Sequence, residues 1–162
     1  MDKFKERTSI IIGDQAIEKL DQASVIVFGL GGVGSYVVEA LARAGIGHLT
    51  LVDFDDVDIT NVNRQLPALH STLGCKKVDV VLDRVRDINP NIDVKGHICL
   101  YDETTSDQLL EDHYDYVVDA IDMVKSKIHL IETCYMRGLK IISSMGMGNK
   151  LDPCQIEISD IH

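Results

Sequence analysis

The 162-residue chain has no tryptophan, three phenylalanines and five tyrosines. A base-stacking platform for single-stranded nucleic acid therefore has little to be built from. Positive charge is also short: 16 Lys and Arg stand against 26 Asp and Glu, a formal net charge of −10. A surface this acidic opposes unaided binding to nucleic acid, which wants clustered Lys and Arg. No internal repeat, low-complexity run or Pro/Gly linker divides the chain. The start, MDKFKERTSIII, is charged and holds an apolar run of only three residues, so it is neither a signal peptide nor a membrane span. The four cysteines, Cys75, Cys99, Cys134 and Cys154, form no CxxC pair, which argues against a closed zinc site within the chain. Scattered single thiols fit a reducing, cytoplasmic setting.

What is present is an ordinary globular composition, 45% hydrophobic and 26% charged, in a length that suits one domain. Residues 14–22 read as a short helix. Ser24 to Phe28 is a β-branched, continuously apolar strand, the pattern of a parallel sheet buried on both faces. Helices are expected over 32–44, 74–89, 106–111 and 125–137, the last closed by Gly138. Strands are expected over 48–52, 92–98, 116–119 and 139–143, with one more over 155–158. Strand and helix in alternation predict an α/β, doubly wound, mostly parallel sheet of Rossmann-like topology. No helix remains to cover the last strand. Residues 1–162 are therefore expected to be a single nucleotide-binding domain from the N-terminal part of a longer chain.

Between the first strand and the next helix, Gly29-Leu30-Gly31-Gly32-Val33-Gly34 satisfies GxGxxG. One glycine permits the tight turn, one lets the backbone approach a phosphate, and one allows close helix packing. Backbone N–H groups at the helix start then face an anion. Asp53 ends the second strand, 19 residues past Gly34, where an acid can accept hydrogen bonds from ribose hydroxyls. These features call for a nucleotide without choosing between NAD, FAD and ATP.

The continuation chooses. Asp53, Asp55, Asp56 and Asp58 put four carboxylates in six residues, followed by Asn61, Asn63, Arg64 and Gln65, and then by Lys76 and Lys77. Such acids repel one another unless cations offset them. Cationic and amide donors around a nucleotide site suit a triphosphate and the charge that develops when it is attacked. Further on, Asp119 and Asp122 stand at the C-terminal end of a buried strand, where ligands gather in open α/β sheets and where a carboxylate can hold Mg²⁺. Asp122 could equally cap the following helix.

GLGGVGSYVVEALARAGIGHLTLVDFDDVDITNVNRQ, followed by GCKKVD and VVDAIDM, resembles the ThiF/MoeB/HesA superfamily, relatives of ubiquitin-activating enzymes. The resemblance runs from about Arg7 to Pro153. Glu6-Arg7-Thr8 and the stretch SSMGMGNKLDP, 143–153, look most like its tRNA threonylcarbamoyladenosine dehydratase branch, TcdA or CsdL. The resemblance implies ATP- and Mg²⁺-dependent activation of a carboxylate. In the dehydratase branch the carboxylate is the threonyl group of a modified tRNA adenosine, which is then cyclised with loss of water. The alternative is the C-terminus of a ubiquitin-like sulfur carrier, which becomes an acyl-adenylate. Carried over residue by residue, Gly29, Gly31, Gly32 and Gly34 would cradle phosphate and Asp53 would hold the ribose. Asp55, Asn61, Asn63, Arg64 and Lys77 would line the phosphates, with Arg64 and Lys77 stabilising transition-state charge. Lys76 is the alternative to Lys77. Asp122 would bind Mg²⁺. Arg7 would reach the ATP of a second subunit, which implies a homodimer. tRNA would be the substrate of the full-length protein, with a sulfur-transfer or ubiquitin-like protein as a further partner. No residue is assigned as a catalytic cysteine.

Overall fold

The computed structural model describes residues 3–146, 148 and 151–160. Five strands, β1 (Ser24–Phe28), β2 (His48–Val52), β3 (Asp93–His97), β4 (Tyr116–Asp119) and β5 (Ile141–Ser143), form one sheet in the order β3-β2-β1-β4-β5. Every pairing is parallel, with Val25 opposite Leu49 on one side and Tyr116 on the other. The helices are α1 (Glu6–Ile12), α2 (Asp14–Gln22), α3 (Gly34–Ala44), α4 (Lys77–Ile88), α5 (Ser106–Leu109) and α6 (Val124–Arg137). This is the doubly wound α/β architecture that the alternating pattern predicts.

The two-residue period of the central strands builds both layers. Val25 and Val27 of β1 join Leu49 and Leu51 of β2 under Val38 of α3 and Val78, Val81 and Val85 of α4. Ile26 and Phe28 point to the other face, against Tyr101, Val117, and Leu130 and Cys134 of α6. β3 brings α4 unusually close. A Cβ placed on Gly96 would stand 2.4 Å from Val78 Cγ1 and 2.8 Å from Leu82 Cδ1. α6 ends, as its sequence predicts, at Gly138, whose φ of +67° is the left-handed conformation that favours glycine.

Beyond shifted ends at α4, α5, β3 and β5, three expectations need correction. The segment 6–12 forms α1, which the sequence reading leaves without structure. Ile10 and Ile11 are 80% and 84% exposed, so the helix has no apolar stripe to betray it. α3 begins at Gly34 and not at Gly32, because the residues before it remain in the turn. No strand covers 155–158. Pro153–Gln155 make a single 3₁₀ turn capped by the Asp152 carboxylate, and the following residues have no ladder partner among the described residues. Alternation of Ile156 and Ile158 supplies a strand-like pattern, but a strand needs a neighbour to pair with. Among the described residues no helix is long and apolar enough to cross a membrane.

Candidate functional site at the switch point of the sheet

Strand order reverses at β1: the chain moves outward through β2 and β3, then returns to β4 on the other side. The crevice at the C-terminal ends of β1 and β4 is where open α/β sheets take ligands. Here the two chain segments touch. Gly29 has a φ of +87°, and a Cβ on it would stand 2.6 Å from the Ala120 carbonyl oxygen. A Cβ on Gly34 would fall 1.7 Å from the Gly29 carbonyl oxygen. Gly29 and Gly34 therefore serve close packing. Gly31 and Gly32 differ, because a Cβ on either would make only ordinary contacts, nearest at 3.6 Å to the side chains of Gln65 and Arg64 respectively. Their N–H groups and that of Val33 make no hydrogen bond among the described residues. The turn thus presents a row of unpaired donors at the start of α3, the geometry that attracts anions.

Asp53 holds this turn in place. It is 8% exposed, and its two oxygens accept N–H groups from Leu30 (2.6 Å) and Asp55 (2.8 Å). Asp55 is half-buried and accepts the Lys77 ammonium at 2.8 Å. Lys77 is only 4% exposed, whereas Lys76 turns outward to pair with Asp56 at 2.6 Å. Of the two adjacent lysines, Lys77 is the inward one.

The polar segment after β2 folds back over the glycine turn. Asp58 and Asn61 cap a 3₁₀ turn reciprocally, Asp58 accepting the Thr60 N–H and Asn61 Oδ1 accepting the Asp58 N–H. Arg64 lays its methylenes on Gly32 and donates from Nη1 to Thr60 O (3.0 Å) and Asn63 Oδ1 (2.8 Å). Its Nη2 and Nε find no acceptor among the described residues, and the residue is exposed. Ser35 ties the segment to the turn, donating to Gly31 O at 2.6 Å and accepting the Leu66 N–H at 3.4 Å.

On the other flank, Asp119 and Asp122 separate into different environments. Asp119 is fully buried and accepts Lys127 Nζ at 2.7 Å. Asp122 is exposed in the loop after β4. It caps no helix, since the N-cap of α6 is Met123, and it has no hydrogen-bond or ion-pair partner among the described residues. It lines a cavity of about 520 Å³ with Lys127, Ser144 and Met145. No group of three or more His, Cys, Asp or Glu residues among those described could hold a metal ion by itself. Arg7 is not brought to the turn. Its helix begins beside Lys5, whose side chain lies against Gly45 and pairs with Asp21 at the opposite end of α3. That end is about 16 Å along the helix axis. Of the residues in SSMGMGNKLDP, Met147, Asn149 and Lys150 lie outside the described residues.

Of two further neighbours of the site, the sequence reading names Gln65 among the amides and misses Lys127. Gln65 is 9% exposed against Gly31, with its Oε1 buried and unpartnered among the described residues. Lys127 occupies a position of the inward stripe of α6, three before Leu130 and seven before Cys134. A lysine in an apolar stripe signals a buried acid partner. Burial pushes the Cys134 thiol up to about 11, so it stays protonated at neutral pH and is no nucleophile.

Residues 6–159 match the ThiF family. The tRNA threonylcarbamoyladenosine dehydratase of Bacillus subtilis is 50% identical over 155 residues, covering 96% of this chain and 61% of that protein. The dehydratase of Escherichia coli is 40% identical over 166 residues, covering 99% and 61%. The crystal structure of E. coli TcdA in complex with ATP superposes with a TM-score of 0.95 at 39% identity, covering 99% of this chain and 67% of that one. The chain thus spans about three fifths of the length of these curated relatives.

Proposed function

The chain belongs to the ThiF family, and on that premise we propose that it carries the ATP site of an enzyme that activates the threonyl carboxylate of threonylcarbamoyladenosine in tRNA and dehydrates it to a ring. The observation that carries the reading is the open Gly31–Gly32 turn, with unpaired N–H groups beneath the Arg64 side chain. The donor set fits a triphosphate: backbone N–H groups, a guanidinium with two free nitrogens, and a buried ammonium. Its relatives' dehydratase names and the ATP complex of TcdA support the same reading.

Bound ATP supplies the phosphoryl or adenylyl group that turns a carboxylate oxygen into a leaving group. The chain's own residues do the rest. Gly31 and Gly32 bind phosphate oxygens through their N–H groups, while Gly29 and Gly34 keep the turn tight. Asp53 keeps a lone pair on each oxygen beyond those given to Leu30 and Asp55, and these meet the ribose hydroxyls. Asp55 neutralises Lys77 until a phosphate competes for it. Lys77 and Arg64 then offset charge that develops at phosphorus. Asn61 and Asn63 hold the Arg64 segment in place. Asp122, exposed and without a partner among the described residues, would hold Mg²⁺, which would supply charge neutralisation at the phosphates. Arg7 acts from a second copy of the chain in a homodimer.

The test is to give the intact protein ATP, Mg²⁺ and tRNA carrying threonylcarbamoyladenosine, and to follow the nucleoside by mass spectrometry. Loss of one water is the expected result. An unchanged nucleoside, together with ATP–pyrophosphate exchange that depends on a small protein ending in Gly-Gly, would overturn the proposal.

A further inference from the structure

A lysine on the inward face of α6 is costly unless its charge is matched, and a buried ion pair seldom gains stability over a packed apolar pair. Lys127 and Asp119 are such a pair, with side chains 11% and 0% exposed. The ammonium spends its three donors on Asp119 Oδ2 (2.7 Å), the Ser144 carbonyl (2.9 Å) and Ser143 Oγ (3.3 Å). Asp119 accepts the Ser143 hydroxyl on the same oxygen and the Ile121 N–H on the other, at 2.9 Å. Its carbonyl takes the Ser144 N–H at 2.8 Å.

These partners have one thing in common. β4 ends at Asp119 and β5 at Ser143, so the sheet ladder no longer holds the residues beyond them. The ion pair reaches just past both ends. It grips Ile121, the neighbour of Asp122, and Ser143 and Ser144, which open the loop to Gly146. The cavity of about 520 Å³ lies between those two loops and α6, with Ile121, Asp122, Ser144 and Met145 in its walls and Lys127 among them.

We propose that Lys127 is a positioning residue for the carboxylate-activating site: through Asp119 it fixes the Asp122 loop and the Ser143–Gly146 loop relative to each other, so that the acyl substrate is held in the cavity between them. The inference rests on the proposed function for its substrate. Its geometry, two loops clamped by one buried pair, stands apart from that reading. Lys127 touches neither nucleotide nor reacting atoms in this role.

The experiment compares the intact protein with Lys127→Arg and with the double variant Asp119→Asn/Lys127→Met, which removes the buried charges together. The double variant should fold with a cooperative melt and bind ATP within about threefold of wild type, while kcat on modified tRNA falls about a hundredfold, the size expected of an ångström-scale misplacement. Lys127→Arg should recover most of the rate. A folded double variant with wild-type kcat, or one whose loss lies wholly in ATP affinity, overturns the inference. If the double variant does not fold, Ser143→Ala keeps the ion pair and removes the hydroxyl that bridges it to the end of β5, while Lys127 still holds the Ser144 carbonyl. A lowered kcat then supports the inference and an unchanged one overturns it. If the wild type does not act on modified tRNA, the function proposal alone fails, and amide hydrogen exchange decides the inference without substrate. Faster exchange at Ile121–Met123 and Ser144–Met145 in the folded variant supports it, and unchanged exchange overturns it.

Discussion

β1 is flanked by two strands that both deliver an aspartate to the C-terminal edge of the sheet, Asp53 just past β2 and Asp119 at the end of β4. Both are buried and both accept backbone N–H groups, yet they are neutralised differently. Asp53 is satisfied by two peptide N–H groups, from the glycine turn and from Asp55, and no cation among the described residues is fixed to it. The Lys77 ammonium pairs instead with half-exposed Asp55. Asp119 has a lysine of its own, locked in by two serines. The first arrangement leaves a cation whose partner can be exchanged for a ligand. The second leaves none to exchange and serves as a clamp. Two like carboxylates, symmetrically placed, are thus neutralised in two different ways.

The contrast between the flanks can be broken at several points. Asp119→Asn leaves Lys127 buried without its counter-ion and should cost about 3–5 kcal/mol in urea unfolding, the range for a broken buried pair. Lys77→Met should instead spare the fold, by less than about 1 kcal/mol, because Asp55 relaxes into solvent. The same variant should lower ATP-dependent turnover about 10²–10³-fold, the loss typical of a removed charge-stabilising donor. Were Lys77→Met to destabilise the protein as much as Asp119→Asn, the two flanks would be alike and the distinction would fall. Asp53→Asn keeps an acceptor for one of its N–H partners and should cost about 1–3 kcal/mol by the same denaturation, with loosened nucleotide binding by calorimetry.

The smallest effect belongs to an ion pair on neither flank. Glu39 on α3 accepts Arg84 of α4 at 2.6 Å and also Arg43, and the Arg84 guanidinium holds its carboxyl below the ordinary range. A depressed carboxylate stabilises the fold above its unfolded-state pKa and loses that contribution as pH falls through the folded value. Glu39→Gln should therefore lower stability by less than about 1 kcal/mol at neutral pH. Its unfolding midpoint should merge with that of wild type in acid.

Much of the fold was legible, because buried parallel strands write continuous apolar runs. β1, β2 and β4 fall where the β-branched stretches place them. α1 was not legible because its isoleucines face solvent, and the strand expected over 155–158 was over-read because pattern cannot supply a pairing partner. In the site, GxGxxG located the turn but did not say which glycines serve it and which serve packing. That division depends on how near Ala120 comes to Gly29, a contact across 91 residues of sequence. Lys77 is preferred to Lys76 by resemblance, since it directly precedes Val78 as in the family it resembles, and it is the inward one of the two. The sequence reading assigns a site role to Asp122 alone and leaves Asp119 without one. Burial and the lysine on a neighbouring helix tell the two apart.

The empty place at Gly96 sets a reach. α4 rests on β3 where a side chain would be, with Val78 and Leu82 filling the space. Lys77 is the residue before Val78. A methyl group at position 96 would push the helix outward and draw the ammonium from Asp55. Mutational tolerance at the rim is thus limited by a missing side chain inside the sheet. A survey of substitutions at position 96 would read as defects in charge pairing at position 77.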